Sequence, residues 1–230
     1  MVLFAHGVLL MILALLLAAC QATQVMPTAN AALVSPSPEI TSEPTPAEWI
    51  EQEINGVLLG VEKPSGWQAQ KTDDGILLAE HSGSMATGGE PPRGVQIHIF
   101  VHSLAGFQLN NVSNVAWSVL KQIIQKHEYI GSAQANEPYG FEWSRHDAAF
   151  YLSNNGDGNM TMLIGVAMPN AEQMVVCNVT SPASESSRIR DILPHVLRTL
   201  SVNGVQMDVT ALAKLPDPLE FPPYTARPKP

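Results

Sequence analysis

Prolines fence this chain into parts. Of its 18 prolines, Pro27, Pro36, Pro38, Pro44 and Pro46 fall within residues 21–47, and Pro216, Pro218, Pro222, Pro223, Pro228 and Pro230 crowd the C-terminal end. A proline has no N–H for a helix or a ladder, and its ring clashes with the preceding helical turn. Residues 21–47 also hold seven Ser or Thr and no Lys or Arg. Such a stretch cannot bury enough apolar surface to offset the entropy of ordering it. It reads as a tether, spanning roughly 30 Å as a flexible chain and roughly 80 Å as polyproline II. Residues 206–230 read as an extended Pro-rich tail. One folded domain is left to residues 48–205.

The composition supports one core. Apolar residues make up 45 % of 230. The net charge of −9 excludes a nucleic-acid binder, which needs a basic face against phosphates. Two cysteines cannot build a disulfide framework or a four-thiolate zinc site.

Within the domain the apolar periods alternate between 2 and 3.6. Val57–Glu62 and Trp67–Lys71 read as short strands joined at Lys63-Pro64-Ser65-Gly66, and the Asp73-Asp74-Gly75 turn leads into a strand over 76–81. Residues 82–93 form a loop. Val95, Ile97, Ile99 and Val101 alternate with Gln96, His98, Phe100 and His102, a strand with one buried face. Val112, Val115, Ala116, Val119, Leu120, Ile123 and Ile124 keep helical spacing without a gap, so a helix over 112–127 is predicted, capped by Asn110 or Asn111. Four strands follow near 132–137, 141–152, 159–168 and 172–180. A second helix over 185–200, capped by Ser184, carries Ile189, Ile192, Leu193, Val196, Leu197 and Leu200, with Pro194 set to kink it. Strands joined by short turns pair antiparallel, and a helix with one apolar stripe must cover a sheet face. The predicted fold class is α+β, a central antiparallel sheet of about six strands flanked by helices.

The N-terminal end points to location. Val8 to Ala19 is an unbroken apolar run of 12 residues. As a helix it is about 18 Å long, and crossing a bilayer takes about 20 residues. The run therefore suits a signal peptide over 1–19 better than a membrane span. It closes on Leu17-Ala18-Ala19-Cys20. That tetrapeptide resembles a bacterial lipobox, although no Lys or Arg precedes the run. Small side chains admit a peptidase between Ala19 and Cys20, and the Cys20 thiol takes a diacylglyceryl thioether. Two or more acyl chains give stable anchoring where one is marginal. Gln21 follows, where an inner-membrane retention signal would place Asp. The resemblance implies a lipid-anchored protein on the extracytoplasmic side of a cell membrane. Composition and tether are also similar to lipoproteins of filamentous Chloroflexi-type bacteria.

The folded part carries a second resemblance. A Pro64-Ser65-Gly66-Trp67 turn, the strand Gly94–His102, a mid-domain helix, paired hairpins and a closing helix over Ile192–Leu200 follow one another. This order resembles the PsbP-like α/β/α sandwich, named for an extrinsic photosystem II subunit and widespread in bacterial lipoproteins. The resemblance covers about 57–203. It implies the fold and mostly non-enzymatic roles, and it transfers no binding residue.

No catalytic set converges in the sequence. His98 and His102 lie about 13 Å apart along one strand, too far for one zinc ion. An unrecognised enzyme would have to join one of them to His146 and Asp147. Cys177, between Val176 and Asn178 in a β-branched run, reads as an inert buried thiol. Ser82-Gly83-Ser84 lacks a nucleophile elbow. Gly88-Gly89 is too short to cradle phosphate. The run Asn154–Asn159 lacks the glycine and the bidentate Glu of a calcium loop and reads as a hairpin turn. No cofactor and no metal are called for. The remaining candidates are partner contacts: Trp117, off the apolar stripe of its helix, and Arg188, Arg190 and Arg198, which with His195 make the last helix basic outside. The expected function is that of a membrane-anchored envelope lipoprotein with a non-catalytic binding or scaffolding domain for an unknown protein or small molecule. The alternatives are a small-ligand or lipid carrier, with a pocket between the sheet and helix 112–127 gated by loop 82–93, and the enzyme just described.

Overall fold

A computed structural model describes residues 48–81, 93–109, 113–126, 133–170 and 172–225. Ala19, Cys20, the tether, nearly all of loop 82–93 and the capping candidates Asn110 and Asn111 lie outside the described residues. Among the described residues no helix is long and apolar enough to cross a membrane.

The fold is α+β and every strand pair is antiparallel. The strands are β1 (Glu48–Ile54), β2 (Val57–Lys63), β3 (Gln68–Lys71), β4 (Gly75–Ala79), β5 (Gln96–Ser103), β6 (Gln134–Ala135), β7 (Tyr139–Trp143), β8 (His146–Asn154), β9 (Asn159–Ala167), β10 (Gln173–Pro182), β11 (Ser201–Val202) and β12 (Val205–Gln206). The helices are α1 (Val115–Lys126) and α2 (Arg188–Val196). The main sheet is wider than expected: eight strands in the order β3-β4-β5-β10-β9-β8-β6, with β7 also on β8. A second, four-stranded sheet in the order β1-β2-β11-β12 was not foreseen.

The alternation of β5, β8, β9 and β10 sorts the core into two faces. Ile99, Cys177, Ile164 and Phe150 are register partners in one row across four strands. They belong to the larger cluster, with Leu59 and Val61 of β2 and with Ile189, Leu193 and Val196 of α2. Phe100, Val176, Gly165 and Ala149 form the row behind it, on the face that α1 covers. The helices thus flank the sheet from opposite sides, and the small sheet shares its layer with α2.

Both predicted stripes are the buried ones. Ala116, Val119, Leu120 and Ile123 of α1 are fully buried, as are Ile189 and Leu193 of α2. The caps differ from expectation. Asn114 accepts the first helical bond of α1, from Ser118 N–H, and Asp147 of β8 accepts the Ala116 N–H. On the other helix, Ser184 falls in a short 3-10 turn over 183–185, and Ser187 is the cap position of α2 without a side-chain bond. Pro194 does not break α2. The helix runs two residues past it, then tightens to a 3-10 turn over 197–199.

Two corrections concern boundaries. The strand expected over 141–152 is two strands, β7 and β8, turning at Ser144 and Arg145 with φ of 52° and 67°. The tail does not begin at 206. A 3-10 helix spans Val209–Lys214, capped by the Asp208 carboxylate, and Met207, Leu212 and Leu215 are core residues. Further on, Asn136 donates to Glu220 O, Asn154 donates to Pro222 O, and the Tyr224 ring lies against Gly156. Residues 207–224 are a strap docked on the domain. Apolar residues at 207, 212 and 215 dock the segment before its first proline, Pro216, and the prolines that follow do not undo this, because a docked segment needs no ladder of its own.

Candidate functional site

The three arginines do not form one patch. Arg188 reaches the Glu80 carboxylate, and also Glu185 at 2.5 Å. Glu80 accepts Val95 N–H at 3.1 Å as well. The Arg188 hydrogen bond holds the Glu80 carboxyl below its usual range, against the opposing effect of burial. Arg190 turns to the strap, with its Nε donating to Pro216 O at 3.2 Å and Asp217 3.5 Å away. Arg198 lies 3.7 Å from Glu62 on β2. The side chains expected to face a partner therefore join α2 and the segment after it to the residue that follows β4, to the strap and to β2. Trp117 is half-buried and donates from Nε1 to Pro138 O at 2.7 Å, with Lys121 Nζ 4.8 Å from its ring centroid. It ties α1 to the approach to β7.

The histidines are dispersed. His98 Nε2 sits 3.1 Å from Thr72 Oγ1 and 3.2 Å from Asp74 Oδ1. Burial pushes its pKa down, and Asp74 opposes this. His102 meets Phe107 edge to face, with centroids 5.6 Å apart. Both stand on the α1 face of β5. Asp147 stands on β8, three strands away across β10 and β9, or about 14 Å. Its carboxylate is spent on the Ala116 N–H. His146, its neighbour, points to the opposite face by strand alternation. The joint His–Asp site of the enzyme alternative is not assembled. Among the described residues no three His, Cys, Asp or Glu side chains could hold a metal. Cys177 is fully buried, which pushes its thiol up to about 12. In the run Asn154–Asn159, the oxygens of Asn154 and Asp157 accept the N–H groups of Gly156 and Asn159, so they close a turn.

Among the described residues the space expected between α1 and the centre of the sheet is filled at Gly165, and only a hollow of about 120 Å³ remains between α1 and β6. Leu120 and Met174 close over Gly165, where an added Cβ would lie 2.5 Å from Met174 Sδ and 3.4 Å from Leu120 Cδ2. Open space lies elsewhere. A groove of about 380 Å³ runs between the strap at Pro216, Asp217 and Pro218 and an aromatic wall of Tyr139 and Phe150. Tyr139 is 59 % exposed, and its ring centroid is 5.4 Å from that of Phe150.

A second open surface is the outer face of the small sheet. Glu51, Gly60, Ser201 and Gln206 are register partners in one row across all four strands. The Trp49 indole fills the gap that Gly60 leaves: a Cβ there would lie 2.5 Å from Trp49 Cζ2. Trp49 stays 50 % exposed and donates from Nε1 to Glu51. A hollow of about 310 Å³ surrounds it, lined also by Thr199 and Gly204. Sequence reasoning missed this surface. The signal was present in Asn55-Gly56, whose φ of 51° and 79° make the two-residue hairpin that returns β1 on β2.

No family model matches the chain, and no curated protein matches it. Among solved structures it is similar to cyanobacterial PsbP from Synechocystis, at 9 % identity, covering 68 % of this chain and 93 % of that one with a TM-score of 0.42. It is also similar to the Ran-binding protein Mog1p of Saccharomyces cerevisiae, at 11 % identity, covering 72 % of this chain and 98 % of that one with a TM-score of 0.42. At that identity and superposition no residue role transfers.

Proposed function

We propose that this chain is a lipid-anchored envelope protein, held at Cys20 on the extracytoplasmic side of a membrane, whose domain binds a partner and performs no catalysis. One observation carries the binding reading. The side chains with chemical potential, His98, Asp147, Cys177 and Arg188, are each engaged in holding the fold, on separate elements. Among the described residues, what remains available is surface, not a convergent site. The anchor rests on the tetrapeptide Leu17-Ala18-Ala19-Cys20 after the apolar run. The strap groove favours a second reading, a small-ligand carrier whose apolar guest lies between Tyr139, Phe150 and Pro218.

Two experiments test the first reading. Radioactive palmitate should label the wild-type chain, with the label lost in Cys20→Ala and processing blocked by globomycin. An unlabelled wild-type chain overturns the anchor. A broad hydrolase screen of the purified chain should show no turnover, and turnover of any substrate overturns the binding reading.

A further inference from the structure

Among the described residues strand β1 has one neighbour, β2, and its other edge is open. It is seven residues long. The hairpin at Asn55-Gly56 fixes which backbone groups that edge offers. In a two-residue hairpin the flanking pair, Ile54 and Val57, exchanges hydrogen bonds, and bonded and non-bonded pairs alternate from there. Ile50, Gln52 and Ile54 therefore bond inward to β2, while Trp49, Glu51 and Glu53 present N–H and C=O to the open edge. The side chains of those same three residues project from the outer face, and all three are exposed.

An open edge is a template for another strand. Its charge decides which strand. Among the described residues Glu51 and Glu53 have no ion pair, and the whole chain carries −9. A second copy of β1 would set these carboxylates against their like, which opposes pairing. A strand with Lys or Arg at alternate positions would set cations against them, and an Arg beside Trp49 gains a cation–π contact. We propose that the open edge of β1 docks a basic extended segment of a partner protein as an added strand, read by Trp49, Glu51 and Glu53. The main-chain bonds hold the segment and the acidic row selects it.

This deepens the binding reading and rests on it. The test uses the full chain and two synthetic peptides as long as β1, one alternating Arg with Val and one alternating Glu with Val. Hydrogen exchange of the Trp49, Glu51 and Glu53 amides is followed by NMR. The Arg peptide should slow exchange at these three amides, less so at high salt, and the Glu peptide should leave them unchanged. Glu51→Gln with Glu53→Gln should weaken binding about tenfold. Glu51→Pro keeps the hairpin, since its N–H is not bonded to β2, and should weaken binding further than Glu51→Gln does. A wild-type chain that protects nothing with the Arg peptide overturns the proposal. So does equal binding of both peptides, or a β1-mediated dimer that excludes the peptide. Substrate turnover would instead remove the underlying binding reading, so the two failures are distinguishable.

Discussion

The Asp147 carboxylate on β8 accepts the backbone N–H of Ala116 at 2.8 Å, so a strand residue closes the first turn of the helix packed against it. A helix leaves its first N–H groups without partners, and a carboxylate there also meets the positive end of the helix dipole. The residue that sequence reasoning offered to a catalytic pair is a cap supplied from 31 residues away. Asp147→Ala should lower stability by about 1 kcal/mol and Asp147→Asn by less. Urea unfolding followed by the helical circular dichroism signal checks this. An unchanged midpoint for Asp147→Ala would remove the cap.

Gly75 opens β4 where it crosses β5. A Cβ there would lie 2.0 Å from Ile99 O and 2.7 Å from Phe100 Cα. Both are backbone atoms, so no rotamer change can relieve the overlap. Gly75→Ala should cost at least the 1–3 kcal/mol or so typical of overpacking. Gly165→Ala meets mainly Met174, a flexible side chain, and should cost less. Parallel urea titrations of the two variants rank them.

How much of this was legible in the sequence turns on which physical signals are local. The α1 stripe and the β5 alternation are local: the stripe is buried as read, whereas β5 is covered on both faces, because Phe100 on the second face lies under α1. The β7–β8 turn was invisible because Ser144 and Arg145 are not residues that favour positive φ. What supports that turn is distant: Ser144 Oγ accepts the Asp208 N–H at 2.5 Å. Strand β1 was hidden by its composition, since Glu48, Glu51 and Glu53 are poor strand formers and only Ile50 and Ile54 mark its inner face. The strap was hidden by its prolines, and its docking depends on partners such as Asn136, Asn154 and Arg190 that no local pattern reveals. The same holds for the basic helix: Arg188 looks free in sequence and is committed to Glu80 in space.

Cys177 should be inert while the chain is folded. Burial raises its pKa from 9.0 to about 12, so the reactive thiolate is suppressed. In Cys20→Ala, a thiol reagent at pH 8 should find no reactive cysteine in the native protein and one in denaturant. The same shift gives a pH dependence. A raised acid pKa contributes stability that is complete below 9.0 and is lost as pH rises toward 12, because the unfolded thiol ionises first. Cys177→Ala should flatten that alkaline loss, though it also leaves a small cavity.

Glu80 and Arg188 clasp the two ends of the loop after β4, since Glu80 also holds Val95. Arg188 depresses the Glu80 pKa below its ordinary 4.5, so the stability it adds is present above 4.5 and is lost as pH falls through the depressed value. Arg188→Gln should lower stability by about 1 kcal/mol at pH 7, and the difference from wild type should shrink as pH falls below 4.5 and through the depressed Glu80 value. Thermal melts of both chains across that range decide it. A difference that persists at low pH would show that packing, not charge, is lost.

The strap is the element in which structure departs furthest from the tail that the prolines implied. Leu212 is fully buried and Leu215 nearly so, in the same cluster as Ile189 and Leu193 of α2. If residues 207–215 complete the core, Leu212→Ala leaves a cavity and should cost about 2–5 kcal/mol. Thr210→Ala, which removes only an exposed hydroxyl bonded to Asp208, should cost well under half of that. Limited proteolysis gives an independent readout: the strap should resist cleavage in wild type and be cut early in Leu212→Ala. An extended tail predicts the reverse of both results, with Leu212→Ala as stable as wild type and cleavage after residue 206 equally fast in either chain.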